Sequence, residues 1–214
     1  MDMRRLPGLA LGFFSVIVLF AAPARAITPS ETLRPAAEEV TRILEDPALK
    51  SLTAERKARI RAVVSDLFDY PEIAQRVLGR HWRSLNLSER AEFVQLFRDF
   101  LEYTYLPKIS LYQGERVRFV GESVDGELAT VRAVVLTKGK EVPVSYRLDQ
   151  RDGRWRIYDI AVEGISFVNN YRSQFDQVIA RGSYRDLAER LKQKLAVPPD
   201  ETPTGTPPFR RPSR

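Results

Sequence analysis

The chain has 214 residues, 43% of them hydrophobic and 29% charged, with no cysteine, one histidine and a formal charge of +6. Those proportions fit one domain with a real core, and they exclude a disulfide framework, thiol chemistry and a lipid-anchored cysteine. Arg4, Arg5 and Arg25 less Asp2 carry +2 of the charge, leaving a mild +4 for the rest, and no Lys/Arg block forms a nucleic-acid stripe.

The first 26 residues stand apart from that domain. Arg4 and Arg5 precede an apolar run from Leu9 to Ala22, and Ala24-Arg25-Ala26 has the small-x-small form that signal peptidases cut. The run is shorter than the ~20 residues a membrane-spanning helix needs. Residues 1–26 therefore read as a cleavable signal peptide, 27–196 as one exported α+β domain and 197–214 as a disordered Pro-rich tail, which holds six of the 14 prolines.

Helical spacing begins at Thr28-Pro29, with Leu33, Ala36, Ala37, Val40, Ile43 and Leu44 recurring up to Asp46-Pro47. A second helix is expected from Thr53 through Ile60, Val63, Val64, Leu67 and Phe68, and a short third one from Pro71 to Gly79. The longest starts at Asn86-Leu-Ser-Glu89, a capping signature, and carries Phe93, Leu96, Phe97, Phe100 and Leu101 down one side. Pro107 should bend or break it before Ile109, Leu111 and Tyr112.

From Glu115 to Ile165 the period changes to two. Four β-type runs are separated by turns at Asp125-Gly126, Lys138-Gly139-Lys140 and Asp152-Gly153, the pattern of an antiparallel meander. In the third run Val142, Val144, Tyr146 and Leu148 share one face, and Glu141, Ser145 and Arg147 the other. The second run is apolar on both faces and so belongs in the middle of the sheet. Its Ala129 and Ala133 leave room for a helix, or for something that is not protein. Ser166 and Ser183 then cap two closing helices, one with Phe167, Val168, Tyr171 and Phe175, the other with Leu187, Leu191 and Leu195.

Helices, four strands, then helices predict an α+β domain: a curved four-stranded antiparallel meander with helices packed on it before and after. A long helix across the hollow side of such a sheet makes a cone with an apolar cavity, open at one end. Catalytic equipment is sparse. His81 sits between Arg80 and Arg83; Glu122, Asp125, Asp159 and Glu163 lie at turns or strand ends; no phosphate loop or nucleophile elbow occurs. Neither catalysis nor a metal is expected.

Several motifs together carry a resemblance. Val77-Leu-Gly-Arg-His-Trp82, Glu92-Phe-Val-Gln-Leu-Phe97, Glu102-Tyr-Thr-Tyr105, Tyr112-Gln-Gly-Glu115, Val142-Pro-Val-Ser-Tyr-Arg147, Trp155-Arg-Ile-Tyr-Asp159, Glu163-Gly-Ile-Ser166 and Asn170-Tyr-Arg-Ser-Gln-Phe175 resemble the MlaC family of periplasmic phospholipid carriers, also called toluene-tolerance auxiliary transport components. The resemblance spans about Thr28 to Leu195. It implies an NTF2-like cone and a monomeric carrier whose cargo is a phospholipid and which needs no cofactor. The implied partners are an inner-membrane ABC transporter bearing MCE domains and an outer-membrane lipoprotein–porin complex, a route that maintains lipid asymmetry. One branch of the family occurs beside hopanoid biosynthesis, so a polycyclic lipid stays open as the ligand, as does a ligand-free interaction domain.

Apolar faces within these motifs nominate ten wall residues for the acyl chains: Phe97, Leu101, Tyr105, Ile109, Phe119, Tyr146, Trp155, Ile165, Val168 and Phe175. The basic Arg80, Arg83, Arg116 and Arg118 are candidates for anionic head groups or partners, or simply a solvated face.

Overall fold

The computed structural model describes residues 27–50, 53–109, 114–137 and 139–197. The expected signal peptide (residues 1–26), Leu111, Tyr112, Lys138 and the expected Pro-rich tail beyond Val197 lie outside them. The architecture is α+β: six helices and one five-stranded antiparallel sheet in the order β1-β2-β3-β4-β5.

Helix α1 (Pro29–Glu45) starts with a complete capping box, in which Thr28 Oγ1 accepts from the Glu31 amide at 3.2 Å and Glu31 returns a carboxylate to the Thr28 amide at 2.9 Å. Helix α2 (Thr53–Ser65) ends before the expected Leu67 and Phe68. Those residues are taken by the sheet: the Ile157 amide donates to Leu67 O at 2.7 Å and the Asp69 amide to Ile157 O at 3.0 Å. An uncovered strand edge needs exactly such partners for its backbone, and that need overrides the helical spacing. Asp69 then caps α3 (Tyr70–Leu78), which stops at Gly79.

Helix α4 (Leu87–Ile109) has the expected Asn86–Glu89 box, both bonds at 2.9 Å. It runs through Pro107 to Ile109, so of the expected bend or break the break does not occur. A proline this near a C-terminus removes one hydrogen bond, and Leu106 and Ile109 hold the last turn against α1 and α2. Helices α5 (Phe167–Arg181) and α6 (Tyr184–Ala196) are capped by Ser166 and Ser183 as expected.

The meander consists of β1 (Arg116–Asp125), β2 (Leu128–Thr137), β3 (Lys140–Arg151) and β4 (Arg154–Val162). Asp152 and Gly153 both take positive φ, the type I′ geometry that Asp-Gly favours. The first hairpin differs by one residue: Asp125 pairs with Leu128, so its two-residue loop is Gly126-Glu127, with Gly126 at φ 58°. A fifth strand, β5 (Ile165–Ser166), was not expected. Glu163 and Gly164, both at positive φ, fold it back so that Val162 pairs with Ile165. Glu-Gly lacks the Asn-Gly or Asp-Gly signature, so the turn was not legible as a hairpin.

Buried side chains fall into three clusters. The helix cluster joins α3, α4, α5 and α6 through Phe93, Phe97, Tyr171 and Phe175, with ring centroids 5.5 to 6.2 Å apart. Burying each phenylalanine contributes roughly 1.5–3 kcal/mol. The sheet cluster sets Leu33 of α1 against Ala129, Val131, Leu148, Trp155 and Ile157. The third, smaller cluster ties Ile43, Leu49, Ile60 and Leu106 together.

Candidate functional site

Residues that pair directly across strands share a face, so the register defines the sheet's inner side, the one on which α1 lies. Four rows cross it: Ala129–Leu148–Ile157, Val131–Tyr146–Ile160, Ala133–Val144–Val162 and Val135–Val142. Burial is uneven along them. The first row is fully buried under Leu33, and the Trp155 indole closes that end by donating to Ile27 O at 3.1 Å. In the second row Tyr146 and Ile160 are only partly buried, and in the last both valines are. Ala133 and Val144 are buried yet belong to none of the three clusters.

Tyr146 sits in the middle of this face, partly buried in the sheet cluster, and burial raises its hydroxyl pKa. Ala129 packs in one cluster with Leu33 of α1, whereas Ala133 belongs to none of the three clusters.

The ten nominated residues do not share one surface. Phe97, Val168 and Phe175 are buried in the helix cluster, with Leu101 packed on its margin. Phe119, Tyr146 and Trp155 belong to the sheet cluster, and Ile109 packs on the third. Ile165 lies on the inner face beside Val162. Tyr105 bridges from α4 to α5: its hydroxyl is 3.3 Å from that of Tyr171, and its ring centroid lies 5.4 Å from that of Phe167. Burial pushes the Tyr105 and Tyr171 hydroxyls well above the ordinary phenol range, so both stay neutral. Lys108, one turn further along α4, lies 5.2 Å from the Tyr105 ring centroid, and partial desolvation lowers its pKa. Sequence reasoning missed this polar group. Its only trace was the i, i+3 spacing of Tyr105 and Lys108, which is indistinguishable from a solvated helix face.

A groove of about 390 Å³ runs between α1 and the edge strand β1, from Glu45 and Arg116 to Arg34 and Phe119. The Arg34 guanidinium lies 5.1 Å from the centroid of Phe119, whose ring is 6.5 Å from that of Tyr146. Phe119 thus borders both the groove and the sheet cluster.

The remaining ionisable candidates serve the fold. Asp159 accepts from Arg147 at 2.7 Å, from Ser166 Oγ at 2.6 Å and from the Val168 amide at 2.9 Å, fixing the start of α5 to β4. Glu122 accepts from the Ser30 amide at 2.8 Å, and His81 pairs with Asp176 at 2.8 Å. Glu163 sits in the β4–β5 turn. Arg80 reaches Asp176 at 2.7 Å and Arg118 reaches Glu141 at 3.1 Å. Among the described residues no group of three or more His, Asp or Glu side chains could hold a metal, and no helix is long and apolar enough to cross a membrane.

The overall architecture is a known α+β fold. The fold matches a phospholipid-binding protein from Ralstonia solanacearum, solved in complex with a phospholipid, with a TM-score of 0.70 and 24% identity, covering 81% of this chain and 98% of that one. The chain is also 20% identical over 149 residues to the intermembrane phospholipid transport system binding protein MlaC of Haemophilus influenzae, covering 65% of this chain and 70% of that protein. Residues 34–193 match the family described as MlaC protein, and the chain belongs to that family.

Proposed function

We propose that this chain is a soluble periplasmic carrier that takes up a phospholipid by its acyl chains and passes it between membrane complexes. The observation that carries the reading is the apolar inner face of the sheet, covered by Leu33 and Trp155 at one end and only partly buried at Tyr146, Ile160, Val135 and Val142. In this reading α1 and the sheet form the NTF2-like cone, Tyr146, Phe119 and Ile165 belong to its wall, and the α1–β1 groove is part of its mouth. Family membership and the phospholipid named for both relatives support the cargo.

The energetics favour such a container over a surface patch. At ~0.8 kcal/mol per methylene, a lipid with two chains of about 16 carbons forgoes roughly 25 kcal/mol on leaving a bilayer, and leaving one chain in water would keep about half of that loss. A carrier must enclose both chains, and the head group can remain in water. The proposed partners are an inner-membrane ABC transporter with MCE domains and an outer-membrane lipoprotein–porin complex; residues 1–26 would direct export.

Solvent extraction of the purified protein tests the reading. A carrier releases lipid in near-stoichiometric amount, with phosphorus and fatty acid in the ratio of a phospholipid. A polycyclic hydrocarbon in the extract would move the cargo to the hopanoid class, and an extract without lipid, from protein that also takes up none from vesicles, would refute the carrier.

A further inference from the structure

A tyrosine hydroxyl carries one proton, and in a pair of hydroxyls only one proton lies between the two oxygens. Whichever of Tyr105 and Tyr171 donates across the 3.3 Å contact, the other proton needs a separate acceptor. Tyr171 is 6% exposed and walled by Phe97, Phe100, Phe167 and Phe175, so water has little access to it. Among the described residues the hydrogen-bond partners of these two hydroxyls are each other; Tyr105 is only partly buried, so with Tyr171 donating to it the remaining proton is on the Tyr105 side, which is open to a further acceptor.

Beside this spare proton stands a cation. Lys108 has no carboxylate within ion-pair distance among the described residues, and its contact is with the face of Tyr105. The placement is consistent with the open end of the inner face. Leu106 and Ile109 fix the last turn of α4 beside Val40, Ile43 and Leu44 of α1, the half of α1 whose Thr41 and Glu45 line the groove. Phe167, which stacks on Tyr105 and Tyr171, follows directly on β5, whose Ile165 extends the Ala133–Val144–Val162 row.

We infer that Tyr105, Tyr171 and Lys108 form a polar subsite at the mouth of the apolar interior, where the hydroxyl pair donates to an ester carbonyl and Lys108 meets the phosphate of a glycerophospholipid. The inference rests on the carrier reading and refines it. The acyl chains fill the greasy space, while this subsite reads the junction between chains and head group. It favours a diester phospholipid over a polycyclic hydrocarbon, which has neither acceptor.

The test loads delipidated protein from mixed vesicles holding diester phosphatidylglycerol, its diether analogue and diacylglycerol, and counts bound species by native mass spectrometry. Wild type should prefer the diester over the diether by about fivefold, the effect of one hydrogen bond. Tyr105→Phe/Tyr171→Phe should lose that preference while still taking up lipid, and Lys108→Ala should lose preference for phosphatidylglycerol over diacylglycerol. Thermal melts establish that the Phe variants, which keep both rings, are folded; if the double variant unfolds, the two single variants carry the comparison. Wild type that binds lipid without distinguishing diester from diether overturns the subsite and leaves the carrier standing. Uptake of none of the three lipids overturns both.

Discussion

Ala133→Phe separates a hollow interior from a solid one. Ala133 is 2% exposed, pairs with Phe119 on β1 and Val144 on β3, and lies outside every packed cluster. In a filled core, a phenyl ring at that point would overpack its neighbours and cost about 1–3 kcal/mol of stability. If the space beside it holds acyl chain, the ring displaces roughly four methylenes, at ~0.8 kcal/mol each about 3 kcal/mol, or about a hundredfold in lipid affinity. Urea unfolding of delipidated protein measures the first quantity, and vesicle competition followed by native mass spectrometry the second. The expected result is a stability change below about 1 kcal/mol with a loss of lipid occupancy. A variant that unfolds early and still carries lipid like the wild type would refute the internal space.

Ile165→Glu places a carboxylate on the inner face beside Val162, at a cost of several kcal/mol in acyl surroundings unless it protonates, so native mass spectrometry should find it largely empty. Asp159→Ala strands the buried Ser166 hydroxyl and Val168 amide. At roughly 1.5–3 kcal/mol per bond to a charged acceptor the loss in urea unfolding should be about 3–6 kcal/mol, with the half-exposed Arg147 adding little. Asp149 tests the sign of a buried charge: burial, with the neighbouring Asp69 and Glu72 charges, raises its pKa against the pull of Arg151, and its Oδ1 has no donor among the described residues. The folded state thus binds this proton more tightly than the unfolded chain, and stability falls as pH rises through the folded pKa. Asp149→Asn should therefore gain most over wild type near pH 7 and converge with it as pH falls toward the ordinary carboxylate range. Melts showing the reverse trend would assign the shift to the wrong cause.

Local chemistry made much of the fold legible. The Asn86–Glu89 box, the Ser166 and Ser183 caps and the Asp152-Gly153 turn each depend on a few adjacent residues, and each appears where its side chains require it. The alternation in Val142, Val144, Tyr146 and Leu148 likewise fixed which residues share a face, because a strand's period is two. Features governed by distant partners were not legible. Leu67 and Phe68 have helical spacing but join the sheet because the β4 edge needs backbone partners, and α4 continues through Pro107 because α1 and α2 hold its final turn.

The candidate site divides along the same line. Amphipathic spacing marked Phe97, Val168 and Phe175 as inward-facing, and so they are, but packing decided that they face one another in the helix cluster. Whether a small residue admits a helix or borders a void is likewise a question of three-dimensional neighbours: Ala129 lies under Leu33 and Ala133, four residues on along the same strand face, does not. The sequence by itself determined the elements, their caps and which side chains turn inward, since those follow from interactions a few residues long. Only the tertiary structure decided which of them pack together in which cluster, and that Tyr105, Lys108 and Tyr171 come together, since these depend on contacts between distant segments, 66 residues apart for Tyr105 and Tyr171 and 128 for Ile27 and Trp155.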